Sequence, residues 1–91
     1  MLAVTPTAIS VIRDLTQEAH LPADAGLRLA RDEAHHCLRM CLAEHPEPGD
    51  LTLFAAPDTR VFLDRTVRPE LVELTLDADM CDGERRFYLH S

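Results

Sequence analysis

The residues of this 91-residue chain best suited to chemistry lie between Gly26 and Asp50, in the stretch GLRLARDEAHHCLRMCLAEHPEPGD, which holds two of the three cysteines and three of the five histidines. His35, His36, Cys37 and Cys41 are borderline-to-soft donors of the kinds that suit zinc, ferrous iron or an iron–sulfur cluster. Whether they can converge on one ion depends on local structure. In a strand, Cys37 and Cys41 share a face but stand about 13 Å apart at ~3.3 Å per residue, too far for one ion or a disulfide. In a helix they would be about 6 Å apart, as in other i,i+4 ligand pairs. A His-His-Cys run with no second spaced pair is better explained as exposed loop histidines beside a half-buried thiol, since free cysteine commonly packs as a small hydrophobe. The four residues are kept as candidate metal ligands, with Cys37 and either histidine completed across a dimer as the arrangement that a strand would allow.

Other chemistry finds no support. Cys81 stands at an Asp-Gly turn and is taken as a surface thiol, while His20 and His45 border prolines at the ends of elements. The carboxylates are scattered, so no general acid–base pair is assigned. Ser10 lacks a nucleophile-elbow context, and there is neither a glycine-rich phosphate loop nor an H-E-x-x-H zinc motif. No catalytic residue is proposed, and an enzyme is not expected.

Composition narrows the class further. At 46% hydrophobic and 27% charged residues the chain is globular rather than disordered. Residues 1–91 are expected to form one domain, burying roughly 60–65% of the surface that the unfolded chain exposes. With no Trp, one Tyr and three Phe, its core must be mostly Leu, Val, Ile and Ala. Nine basic against sixteen acidic residues give a formal charge of −7, which opposes binding to nucleic acid or to anionic membranes. The N-terminus MLAVTPTA has neither a basic leader nor a long apolar run, so a cytoplasmic protein is expected. Three cysteines are an odd number without an export signal, which predicts reduced thiols.

The elements that would position the candidate residues follow from periodicity. Leu2 and Val4 suggest a very short edge strand, and Thr5-Pro6 marks a helix start. Ile9, Ile12 and Leu15, joined by Ala8, Val11 and Ala19, make its apolar stripe, opposite Arg13, Asp14, Gln17 and Glu18. Leu21-Pro22 stops it. Gly26 to Arg31 alternates as a half-buried strand with Leu27 and Leu29 inward.

The segment from Cys37 to Glu44 reads two ways. At period two, Leu38, Met40 and Leu42 face the core and Cys37, Arg39, Cys41 and Ala43 face away. At period 3.6, with Asp32 as N-cap, Ala34, Cys37, Leu38, Cys41 and Leu42 form an equally good helical stripe, and propensity slightly favours it. His45 to Asp50 is a firm turn. Leu51–Ala55 and Arg60–Asp64 read as a hairpin, and Thr66 to Glu73 as a short helical turn with Pro69 near its start. Leu74–Ala78 and Arg86–His90 read as a second hairpin about Cys81-Asp82-Gly83.

The order of these pieces, with Val4-Thr5-Pro6 and Ala8 at the helix start, Gly26-Leu27-Arg28-Leu29 in the first core strand, Pro48-Gly49-Asp50 at the turn, Val61-Phe62-Leu63-Asp64, and Leu76-Asp77, resembles the HesB/IscA-like family, the A-type carriers of iron–sulfur cluster assembly. The resemblance covers nearly the whole chain. It implies a β-rich α+β domain with one N-terminal helix, about six to seven short strands in mixed and antiparallel sheets, a short second helix, and a strand from Leu38 to Glu44. Cluster-carrying members have a G-G-G-C-S-G-like loop after the first strand and a Cys-Gly-Cys near the C-terminus. Here the loop is Asp32-Glu33-Ala34-His35-His36-Cys37, and Cys81 stands too early to replace the C-terminal pair. The resemblance therefore implies a non-enzymatic accessory or binding protein related to iron–sulfur cluster assembly that has lost the usual ligands. No cofactor is then expected, and assembly components or a second copy would be the partners. The alternatives are a divergent iron, metal or cluster carrier using Cys37 with His35 or His36 across a dimer, and a purely structural protein-interaction domain.

Overall fold

The computed structural model describes residues 2–91, the side chain of Arg68 excepted. The chain runs β1 (Ala3–Val4), α1 (Pro6–Glu18), β2 (Gly26–Asp32), β3 (Cys37–Ala43), β4 (Leu51–Ala56), β5 (Thr59–Leu63), α2 (Arg68–Leu71), β6 (Thr75–Cys81) and β7 (Glu84–His90). Two helices and seven strands among the described residues bear out the expected β-rich α+β class.

Helix α1 begins where local chemistry places it. Thr5 Oγ1 accepts the Ala8 N–H at 3.1 Å, and Pro6 fills the first helical position, where a missing N–H costs nothing. It ends before Pro22. The Leu21 N–H reaches the Thr16 carbonyl at 3.0 Å and the His20 N–H the Gln17 carbonyl at 3.1 Å, a Schellman closure with His20 at φ +54° in the left-handed position that favours glycine. Ala8, Val11 and Ile12 are buried as the stripe requires, but Ala19 is exposed, because it is the C-cap, where the chain turns away.

The ambiguous segment is a strand. β3 pairs antiparallel with β2 from Asp32↔Cys37 to Gly26↔Ala43 without a register shift, and Leu38, Met40 and Leu42 pack against the core. The helical stripe loses because the strand pairs with β2 along its whole length and sends the three bulkiest apolar side chains of the segment inward, which outweighs a propensity difference of a few tenths of a kcal/mol per residue. β2 lies parallel to β5, and β4 closes a hairpin on β5, giving the order β3-β2-β5-β4. A smaller sheet, β1-β6-β7, joins the two ends of the chain by parallel pairing of β1 with β6. Asp82 and Gly83, at φ +52° and +82°, make the two-residue turn between β6 and β7 whose backbone needs positive φ at both positions.

The core gathers Ile12 of α1, Leu27 and Leu29 of β2, Val61 and Leu63 of β5, and Leu76 of β6, all at or below 2% exposure. On the other side of the larger sheet Phe62 is also fully buried, flanked in register by Arg28 and Thr52. Among the described residues no helix is long and apolar enough to cross a membrane.

At Gly26 the backbone of β5 leaves no room for a side chain. A Cβ there would lie 2.3 Å from the Arg60 carbonyl oxygen of β5, a backbone atom held by its own sheet. Gly26→Ala is therefore expected to lower stability by roughly 2 kcal/mol, because the β2–β5 ladder must spread to admit the methyl. Urea unfolding with an unchanged midpoint would refute this close packing.

Candidate functional site

The candidate ligands sit along the β2–β3 hairpin. Cys37 and Cys41 stand opposite Asp32 and Arg28, on the outer face of β3. Both are exposed, as is Cys81 at the end of β6, and no disulfide joins the three. The half-buried Cys37 anticipated from sequence is corrected here: β3 is an edge strand, and its even-numbered residues take the inner face. In the turn, His35 Nδ1 lies 2.9 Å from Asp32 Oδ2, and this hydrogen bond leads the causes that hold the Asp32 carboxyl below its usual range; burial opposes it, and the His35 and Ala34 amides add to the lowering. His36 is exposed at φ +51°. The structure thus joins His35 to Asp32 and keeps Cys41 four strand positions from Cys37. Among the described residues no three His, Cys, Asp or Glu side chains come together to hold a metal ion.

Two surface hollows lie elsewhere. One of ≈ 290 Å³ is lined by Asp79, Arg86, Phe87 and Tyr88, and another of ≈ 200 Å³ lies between the end of α1 and Asp58. Neither is lined by a cysteine or a histidine.

The strongest polar centre was not anticipated. Arg28, on the outer face of β2, donates through Nε to Asp50 Oδ2 at 2.7 Å and through Nη2 to Asp50 Oδ1 at 3.0 Å, a bidentate pair. Nη2 also reaches Asp64 Oδ1 at 3.1 Å, and Nη1 reaches Glu47 at 2.9 Å. The Asp50 side chain is 1% exposed and that of Arg28 15%, so this is a nearly dry ion pair. Burial pushes the Asp50 carboxyl upward, but the Arg28 hydrogen bonds, the Glu47 amide and the Arg28 charge outweigh it and leave the pKa lowered. Asp50 also closes its own turn, accepting the Glu47 N–H at 2.9 Å. Asp64 is lowered chiefly by hydrogen bonds from the Thr66 hydroxyl and amide. An arginine alternating on the polar side of a strand is unremarkable in sequence. The available signal was that Arg28, Asp50 and Asp64 all belong to the matched segments.

A second centre ties the helix start to the smaller sheet. Asp77 accepts from Thr5 Oγ1 at 2.7 Å, the Ala78 amide at 2.8 Å and Tyr88 Oη at 3.1 Å, with His90 Nε2 at 3.5 Å. The Thr5 bond leads the causes that lower Asp77, and donation to Asp77 leads those that raise the Tyr88 hydroxyl. Thr5 thus caps α1 and binds β6 with one oxygen.

The same arrangement of elements occurs in solved proteins. Escherichia coli SufA, described as involved in the biosynthesis of iron–sulfur clusters, superposes with a TM-score of 0.75 at 23% identity, covering 98% of this chain and 83% of its own. IscA, solved with a [2Fe-2S] cluster, superposes at 0.69 and 22% identity, with 99% of this chain and 84% of its own covered. The chain has the HesB/IscA-like fold. A protein from Aquifex aeolicus solved by NMR in solution shares it at a TM-score of 0.76 and 19% identity, covering 99% of this chain and 90% of its own. No protein-family model and no curated protein matches the sequence. At such identities the likeness is one of fold, and the segments that carry the HesB/IscA-like resemblance hold Arg28, Asp50, Asp64, Thr5 and Asp77, the residues that fasten the sheets and the helix.

Removing Asp50 would leave the Arg28 guanidinium short of its bidentate partner, so Asp50→Ala is expected to cost about 3 kcal/mol in urea unfolding. A cost near zero would show that Asp64 and Glu47 suffice. The folded pKa of Asp50 lies below its unfolded value near 3.9, so its contribution is complete above that pH and lost as pH falls through the folded value. Asp50→Asn is accordingly expected to flatten the loss of stability below about pH 4, read as a shallower dependence of Tm on pH.

Proposed function

We propose that residues 1–91 act as one domain of a non-enzymatic accessory or binding protein of iron–sulfur cluster assembly, cytoplasmic, with assembly components as its partners. It keeps the A-type fold without the three-thiolate site. One observation carries this reading. The polar side chains within the matched segments are engaged in holding the fold, while the three thiols are dispersed over two sheets and all face solvent. Cys37 and Cys41 are separated by about 13 Å along one strand, and Cys81 ends a strand of the other sheet. A cluster needs its sulfur ligands converging within a few ångströms, each about 2.3 Å from the metal it binds. A carrier built on Cys37 with His35 or His36 would need donors from a second copy.

Anaerobic reconstitution with iron and sulfide, followed by visible absorption and iron quantification, tests the reading. Wild-type protein is expected to retain no more iron than the Cys37→Ala variant and to show no stoichiometric cluster absorbance. Stoichiometric colour that disappears in Cys37→Ala would overturn it in favour of the carrier.

A further inference from the structure

One of the two surface hollows carries an unmet polar group. The ≈ 200 Å³ cavity is walled by Arg13, Thr16 and Gln17 of α1, by Leu21 and Pro22 beyond it, and by Asp58 of the turn between β4 and β5. Arg13 donates through Nη2 to Asp58 Oδ1 at 2.8 Å, but its Nε is closed to solvent and has no acceptor. It is the one such side-chain atom among the described residues. A guanidinium N–H withdrawn from water without a partner is costly, and native structures nearly always supply the acceptor. In the other hollow the polar groups are matched: Arg86 pairs with Asp79 at 3.3 Å, and Tyr88 Oη donates to Asp77 at 3.1 Å.

The walls of the cavity are tied from several directions. Arg13, Thr16 and Gln17 share one face of the helix by their i, i+3, i+4 spacing. The Thr16 hydroxyl donates to the Arg13 carbonyl at 2.9 Å, and the Thr16 carbonyl accepts the Leu21 N–H at 3.0 Å. Past Leu21 the Ala25 N–H closes a turn onto the Pro22 carbonyl at 3.1 Å, and the Ala23 carbonyl accepts from Arg60 Nη1 of β5 at 2.6 Å.

The geometry points to this cavity as a binding site for a small neutral carboxamide, whose carbonyl accepts from Arg13 Nε, whose N–H donates to the Asp58 carboxylate, and whose apolar body lies on Leu21 and Pro22. The half-buried Arg13 and exposed Gln17 side chains shift to admit it. The site uses no thiol and stands independently of the proposed function. Charge selects the ligand class. Arg13 and Asp58 cancel, and Asp14 adds a negative charge that acts on Arg13. A carboxylate would satisfy Nε but face Asp58 and Asp14. A cation would suit Asp58 but lie against the guanidinium and leave Nε unmet. A neutral group with an acceptor beside a donor meets both. The volume lies below that of drug-sized pockets, which limits the ligand to about one ring and its amide.

Benzamide, benzoate and benzamidine share one planar shape and differ in charge, so they serve as probes. In NMR titrations of the whole nitrogen-15-labelled chain at neutral pH, benzamide is expected to give saturable shifts at the Thr16, Leu21 and Ala25 amides and at Arg13 Nε–H, whose resonance reports the new hydrogen bond. Benzoate and benzamidine are expected to bind roughly tenfold more weakly or worse. Arg13→Lys keeps a charge beside Asp58 but has no Nε donor, and should weaken benzamide by roughly the same factor. The Arg13–Asp58 pair is largely exposed, so this variant is expected to fold, with circular dichroism as the check. Absence of saturable benzamide shifts overturns the proposal. So do equal binding of the three probes, shifts centred on Asp79 and Arg86, and undiminished benzamide binding by folded Arg13→Lys. The comparison of probes on the wild-type chain decides the matter even where the variant fails to fold.

Discussion

Arg28 carries a permanent charge into a place that is only 15% open to water, and the rest of the larger sheet is arranged around neutralising it. A guanidinium cannot shed its proton, so an unpaired one in such a place costs several kcal/mol. Here the charge is met by Asp50 from the turn before β4, Asp64 from the end of β5 and Glu47 from the same turn as Asp50. Three segments distant in sequence must therefore meet at one point. Their meeting fixes β2 against β5 in the parallel register that also buries Leu27 and Leu29. A slip of one residue would expose both leucines and strand the charge. The local excess of carboxylate is tempered by Arg65, whose charge adds to the lowering of Asp64.

The second fastening is weaker but serves connectivity. β1 is too short to hold itself in a sheet, and its two parallel pairs to β6 are extended by the Thr5–Asp77 hydrogen bond. Because Thr5 also caps α1, the direction of the helix and the position of the smaller sheet are set by the same hydroxyl. Exposed pairs such as Arg13–Asp58 and Arg86–Asp79 add little beside these, being screened and entropically costly.

Much of the fold was legible because alternation and turn chemistry agreed. Thr5-Pro6, Gly26 to Arg31, the proline-rich turn, and Asp82-Gly83 each carry a local signal that the tertiary structure does not contest. β3 was illegible from local signals alone, since Leu, Met, Arg and Ala suit either period and no β-branched residue tips the balance. Pairing with β2 decided it, and only the family resemblance anticipated that. His20 closing the helix was also hidden, because a histidine in the left-handed region announces itself by conformation and not by type. The Arg28 centre was concealed for a different reason: it depends on three loops and strand ends converging, which no spacing along the chain reveals.

The fate of the candidate site follows from the same period that decides β3. Once Leu38, Met40 and Leu42 are drawn to the core, residues at odd positions must point outward, and four steps along a strand separate two thiols by more than any shared ion tolerates. In a helix the identical sequence would have presented a neighbouring cysteine pair. A site shared by Cys37 and Cys41 is thus denied by the packing that the apolar residues require, without any change to the cysteines themselves.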